Sequence, residues 1–220
     1  MENITISRLL KEKCKSLQLG IITGNVIVSP SSPELKSMIQ DFSDRIKEQV
    51  SIDQITQFQP IKHSRNAYKA LGKEPSRYRL SAEALLRRIV QGKGIYFINN
   101  LVDIINYISI KYYFSIGLYD FNKIVLPVNF TIGTSDDIYM AIGRGLFNID
   151  NLPVFEDALG KYGSPTSDSE RTKITDETKT MILKIIAFEK SEMLQPAIDE
   201  TLDLLIKFAN LDNYKTVNIE

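Results

Sequence analysis

With 220 residues, 43% of them apolar, the chain is long enough for one large or two small domains and for a sizeable buried core. Twenty-seven Lys and Arg offset twenty-seven Asp and Glu, so the protein as a whole exerts no long-range pull on nucleic acid or on a membrane. One cysteine, Cys14, excludes an intrachain disulfide, and neither a secretion signal nor an apolar run of about 18 residues is present, which implies a soluble, cytoplasmic protein.

In chain order, 7–17 reads as a short helix with Leu9, Leu10 and Cys14 inward, and 19–28 (LGIITGNVIV) as a strand favoured by its β-branched residues. After the SPSSPE turn, Leu35, Met38, Ile39, Phe42 and Ile46 fall at helical spacing over 33–49. Ser81 is placed to cap a helix over 81–91, with Glu83 in its first turn, Arg87 and Arg88 near its end and Gly92 after it. Glu83 and Arg87 are four apart, an ion-pair spacing on a helix. Asn99 or Asn100 caps the next helix, about 100–113, whose stripe of Leu101, Ile104, Ile105, Ile108 and Tyr112 is core by default. Beyond a turn at Gly117, strands are expected at 124–132 and 137–143, then a turn around 149–154. Segment 178–189 (TKTMILKIIAFE) reads as a central strand, apolar on both faces, and 195–209 as an amphipathic helix with Pro196 in its first turn. The residues after Asn210 look frayed. With no repeat and no long linker, the pattern is α+β, one domain carrying an N-terminal extension.

Two segments depart from a plain core pattern. Between Ile61 and Gly94 there are nine Lys or Arg against two acids, a local charge excess that suits a phosphate-binding patch, although solvated helices carry such runs as well. Arg77 and Arg79 stand on the extended lead-in SRYRLS, free to present guanidinium groups to phosphate, while Arg87 and Arg88 follow on the helix. The second segment, 163–172 (GSPTSDSERT), packs five hydroxyls, two carboxylates and an Arg into ten residues. That composition suits a loop lining a polar pocket, or else an exposed turn, and Arg171 is free to pair with Asp168 or Glu170 and set the loop's shape. His63, beside Lys62 and Arg65, has no clustered ligand partners and reads as a surface or capped histidine, not a metal ligand.

The run 95–124 (IYFINNLVDIINYISIKYYFSIGLYDFNKI) and the run 163–178 (GSPTSDSERTKITDET) together resemble the two signatures of the B3/B4 editing domain of the phenylalanyl-tRNA synthetase beta chain. Asn100, Val102, Asp103, Asn106, Tyr107, Asp120, Lys123 and Ile124 match in the first; Gly163, Ser167 or Ser169, Thr175, Asp176, Glu177 and Thr178 match in the second. Family-like sequence extends from about Arg77 to Phe188. The resemblance implies a B3/B4-like α+β domain over 61–210 with a mixed sheet and flanking helices, residues 1–60 packed on it as a helix/strand extension, and 211–220 as a frayed tail. The length leaves no room for the rest of the synthetase, so a freestanding domain is expected, and no GxxxxGK[ST] loop is present.

In the synthetase this domain hydrolyses the ester of mischarged tRNA, chemistry that needs an oriented water and oxyanion donors but no metal or cofactor. The resemblance therefore implies tRNA or the aminoacyl-tRNA acceptor end as partner, with Arg77, Arg79, Arg87 and Arg88 on RNA. Glu156 or Asp168 would orient the water, Asp157 competing with Glu156 for the family carboxylate. Asn106, Gly117, Gly163, Ser164, Thr166, Ser167, Ser169 and Arg171 would line the substrate site. Gly117 stands where the family pattern carries a histidine, which points either to lost hydrolysis or to a pocket enlarged for a different substrate. Three functions follow: an editing-like deacylase, a non-catalytic RNA or amino-acid-like ligand binding module of the same fold, and a small-substrate enzyme that would find no use for the basic face.

Overall fold

A computed structural model describes residues 3–220. The first strand, β1 (Ile4–Ile6), leads into α1 (Arg8–Lys13), whose first turn is capped by the Ser7 hydroxyl. Then come β2 (Gln18–Asn25) and α2 (Pro33–Gln49), the latter capped by Ser32 with Pro33 at its first position, where a missing N–H costs nothing. α3 (Gln59–Ala70) and α4 (Ser81–Val90) carry the basic segment. α5 (Asn100–Tyr112) begins at Asn99, which accepts the Val102 N–H at 2.9 Å, and ends at Tyr113 in the left-handed region. The remaining strands are β3 (Ser115–Asp120), β4 (Val128–Ile132), β5 (Ile138–Ala141), β6 (Gly145–Asn148), β7 (Pro153–Asp157), β8 (Gly160–Gly163) and β9 (Thr180–Ala187); α6 (Leu194–Ala209) and β10 (Asp212–Ile219) close the chain.

Two four-stranded sheets, in orders β1-β4-β7-β8 and β10-β2-β9-β3, stand beside a separate β5-β6 hairpin. The first is mixed, since β1 runs parallel to β4. One apolar cluster takes Ile21, Ile182 and Ile186 from the second sheet and Phe130, Val154 and Phe155 from the first. The other takes Ile22, Leu183 and Ile185 from the opposite face of the second sheet and packs them on Leu101, Ile104 and Ile108 of α5 and Ile198 and Leu205 of α6. β9 is thus buried on both faces, as its apolar composition predicts, and the molecule is layered helices, sheet, sheet. Among the described residues no helix is long and apolar enough to cross a membrane.

Several expectations change. The residues after Asn210 do not fray: β10 pairs antiparallel with β2, and Val217 and Ile219 pack against the core. The N-terminal segment is woven into the fold, because β1 and β2 each supply a strand to a different sheet. Gly117 lies inside β3 and not in a turn, and the turn expected at 149–154 already contains the start of β7. α1 is shorter than 7–17, with Leu9 exposed while Leu10 and Cys14 are buried. Leu80, not Ser81, occupies the cap position of α4, and no side chain caps that helix. α3 lacked a clear signal because its buried Ile61, Ser64, Ala67 and Tyr68 are diluted by small and polar residues.

Candidate functional site

The polar run leaves β8 at Gly163 and folds back on itself through bridges from Gly163 to Asp168 and from Ala141 to Ser169. Four of its five hydroxyls, those of Ser164, Thr166, Ser169 and Thr172, have hydrogen-bond partners within the protein. Ser164 Oγ donates to the Ser167 carbonyl at 3.0 Å and accepts the Ser167 N–H at 3.2 Å; the Tyr139 hydroxyl donates to the same carbonyl at 2.6 Å. Thr166 meets the Tyr68 hydroxyl at 2.9 Å, and Ser169 meets Thr172 at 3.3 Å. Ser164, Thr166, Ser169 and Thr172 are buried, so the segment is not a wholly exposed turn. It fastens β8, the β5-β6 hairpin and α4 together, the last through the Ser81 N–H on the Pro165 carbonyl.

Asp168, partly covered, points into the space between the sheets, where its Oδ1 accepts the Tyr119 hydroxyl at 2.7 Å. Burial pushes its carboxyl up to about 7, against the opposing pull of the Tyr119 hydrogen bond and the Lys184 charge. Lys184 sits in the middle of β9 and is completely buried. Its Nζ bonds the Tyr162 hydroxyl and lies over three rings, 4.1 Å from the centroid of Phe155, 4.6 Å from Tyr162 and 4.8 Å from Tyr119. Burial drives this amine well below the usual lysine range, with the Asp168 and Asp157 charges acting the other way. Tyr119 is held protonated, far above the usual phenol range, first by burial and then by Asp168.

Gly117 and Gly163 make room for this cluster. Gly117 is paired with Lys184 across the β3-β9 ladder. A Cβ on Gly117 would overlap the Tyr119 hydroxyl, and one on Gly163 would overlap the same hydroxyl and lie 2.7 Å from Asp168 Oδ1. The space expected at Gly117 as an enlarged pocket is therefore filled by the phenol two residues further along the same strand face. Lys184, Tyr119 and Tyr162 carry this arrangement and were not singled out from sequence. The available signal was one lysine inside a strand otherwise apolar on both faces, a charge that must find partners when buried.

The remaining site expectations divide. Glu156 does not join Asp168: it pairs with Lys161 at 3.1 Å, and Lys161 also holds Asp137 at 3.0 Å, while the neighbouring Phe155 points inward over Lys184. Arg171 pairs with neither Asp168 nor Glu170; it grips Asp157 with two nitrogens, at 2.9 and 3.0 Å, and donates to the Lys123 and Gly160 carbonyls. Burial would raise the Asp157 carboxyl, but Arg171 and the Val125 and Leu159 N–H groups bring it below its usual value. The pair is a clamp across β7, β8 and the loop. Asn106 is half-buried on α5, whose apolar stripe packs on the face of the second sheet opposite Lys184.

On the basic segment, Glu83 is buried and draws in three arginines: Arg87 at 2.8 Å, Arg65 at 2.9 Å and Arg79 at 3.9 Å. The i,i+4 pair with Arg87 is the one its spacing predicts. Arg88 stacks its guanidinium 3.7 Å from the centroid of Tyr96 and donates to the Lys93 carbonyl at 3.0 Å. Arg77 is exposed, and His63 is half-buried on α3. Among the described residues no group of His, Cys, Asp and Glu gathers in a metal-binding arrangement.

Parts of both signature runs, Gly117 with Tyr119 and Gly163 with Asp168, meet at one polar cluster in a fold of two sheets with flanking helices. Residues 63–210, more than half of the chain, match the B3/4 domain family, and the chain belongs to that family. Among solved structures it is similar to an N-terminal fragment of the phenylalanyl-tRNA synthetase beta-subunit from Pyrococcus horikoshii, at a TM-score of 0.50 and 12% identity over 99% of this chain and 54% of that one. The chain thus spans about half the length of that solved chain, and at such identity the likeness concerns the fold. No curated protein matches the sequence. The expected family and α+β architecture are both borne out.

Proposed function

We propose that this protein is an RNA-binding module of the B3/4 domain family. It takes tRNA or the acceptor end of aminoacyl-tRNA on the basic face of α4 and its lead-in, through Arg77, Arg79, Arg87 and Arg88. What favours binding over hydrolysis is one observation: the space beside Gly117 and Gly163 is occupied by Tyr119, with Lys184 filling the interior next to it. An editing reaction needs room there for an aminoacyl group and an oriented water. The family relationship and the cluster of arginines around Glu83 support RNA as the ligand, because guanidinium groups fixed by a shared carboxylate retain donors for phosphate.

A second reading, ester hydrolysis, draws support from Asp168. A carboxyl pushed up to about 7 is suited to accept a proton from water near neutral pH. Water would add to the ester carbonyl as one of its protons passes to Asp168; the carbonyl-to-ribose C–O bond would then break as Asp168 returns that proton to the leaving ribose oxygen, giving the free amino acid and the tRNA hydroxyl. The two readings separate in one experiment. Purified protein is incubated with charged and mischarged tRNAs while bound RNA and released amino acid are both measured. Salt-sensitive binding without release is the expected result, reduced when Arg77, Arg79 and Arg88 become Gln. Release abolished by Asp168→Asn would replace the binding reading with hydrolysis, and absence of both would remove tRNA as the ligand.

A further inference from the structure

A second polar feature lies next to the arginine cluster. Between the 3-10 turn Gln54–Gln57 and α3 there is a depression of about 250 Å³ lined by Thr56, Gln57, Lys62, Arg65, Asn66 and Lys69. None of these residues is acidic, and three are cationic. Lys62, Arg65/Asn66 and Lys69 recur at helical spacing and form one stripe of α3, beside the stripe of Ile61, Ser64 and Tyr68 that faces the core.

Solvated lysines on a helix are ordinary, so the surroundings decide the reading. Among the described residues neither Lys62 nor Lys69 forms an ion pair, and Glu74, the acid whose field Lys69 and Arg65 share, is bound to the Ser76 hydroxyl at 2.7 Å outside the lining. Arg65 is anchored through one nitrogen to Glu83 at 2.9 Å, which leaves further guanidinium donors for a ligand. The Asn66 and Gln57 amides and the Thr56 hydroxyl add neutral donors around the same concavity. Positive charge surrounded by uncharged donors, without a competing carboxylate in the lining, suits a tetrahedral dianion or a diester. The volume is too small for a typical drug-sized ligand and suits a phosphate with part of its sugar.

We propose that this depression on α3 is a phosphate-binding subsite, occupied by the backbone of the RNA that α4 holds. As to RNA, this rests on the function proposed above. Glu83 links the two surfaces physically: it binds Arg65 of α3 together with Arg79 and Arg87 at α4, so the depression and the α4 face form one track with a shared anchor. Lys62 and Lys69 supply the charge, and Asn66 and Gln57 orient the phosphate oxygens.

The experiment compares wild-type protein with Lys62→Gln/Lys69→Gln and with Arg77→Gln/Arg88→Gln, each first checked for native circular dichroism. RNA affinity is measured over a salt series, and the backbone amides of α3 are followed by NMR during titration with inorganic phosphate. Loss of two phosphate contacts should weaken RNA binding by roughly tenfold and reduce the slope of log K against log salt by about 1.5 in the lysine variant. If RNA fails to bind but phosphate shifts the amides of Lys62, Asn66 and Lys69, the subsite stands with free phosphate as its ligand and the RNA reading falls. If RNA binding is unchanged in the lysine variant while the arginine variant loses it, and phosphate moves none of these amides, the subsite is overturned and the RNA reading survives.

Discussion

Lys184 is buried and Asp168 half-buried beside the same Tyr119, and neither titrates as it would in water. Between the usual carboxylate value of 3.8 and about 7, the folded protein keeps a proton on Asp168 that the unfolded chain has lost, so this group's contribution to stability is complete at low pH and disappears as pH rises through 7. Lys184 works the other way: its amine is depressed below 10.5, so the unfolded chain holds the extra proton and stability grows as pH rises towards 10.5. Wherever the two windows overlap the slopes oppose each other, so the urea stability of the wild-type protein should fall less steeply between pH 3.8 and 7 than that of a variant without Lys184. Lys184→Met should expose the Asp168 slope, with stability falling as pH rises. Asp168→Asn should expose the Lys184 slope, with stability rising. Parallel profiles in the two variants would overturn the opposite shifts assigned to the two groups. Gly117 offers a separate test: Gly117→Ala forces a methyl into the Tyr119 hydroxyl and should cost about 1–3 kcal/mol by chemical denaturation, whereas an open pocket beside Gly117 would accept the methyl without cost.

At the scale of elements, β10 and β2 show how a weak pattern becomes order through pairing. The sequence DNYKTVNI is mostly polar and its residues are mostly exposed, so nothing in its hydrophobicity demands a strand. β2 demands one, because it is buried along nearly all its length and presents an edge that β10 covers with a ladder from Lys215↔Thr23 to Ile219↔Leu19. Truncation after Asn210 is expected to lower the melting temperature and to speed amide exchange along β2. An unchanged melting curve and unchanged exchange would restore the frayed-tail description. α4 differs in kind, since its amphipathic pattern and the Glu83 to Arg87 spacing were legible, while the partners Arg65 and Arg79 arrive from outside the helix.

For the molecule as a whole, zero net charge means that the proposed RNA binding depends on where the charges stand and not on how many there are. Glu83 neutralises part of the arginine cluster, yet it also holds the cluster in one place, and α3 extends the positive surface beyond it. The family was legible because its two signature runs are local strings, and the helices α2, α5 and α6 were legible because one stripe of each must be apolar to pack. β9 was legible for the same reason, as a strand with two buried faces. The sequence by itself determined the family, the α+β class and the elements whose hydrophobic period is strong. The tertiary structure alone decided that Glu156 and Arg171 bind Lys161 and Asp157, and that Tyr119 fills the space beside Gly117. It also decided that Lys184 enters the interior, because these outcomes depend on which side chains strand register and sheet packing bring face to face from distant parts of the chain.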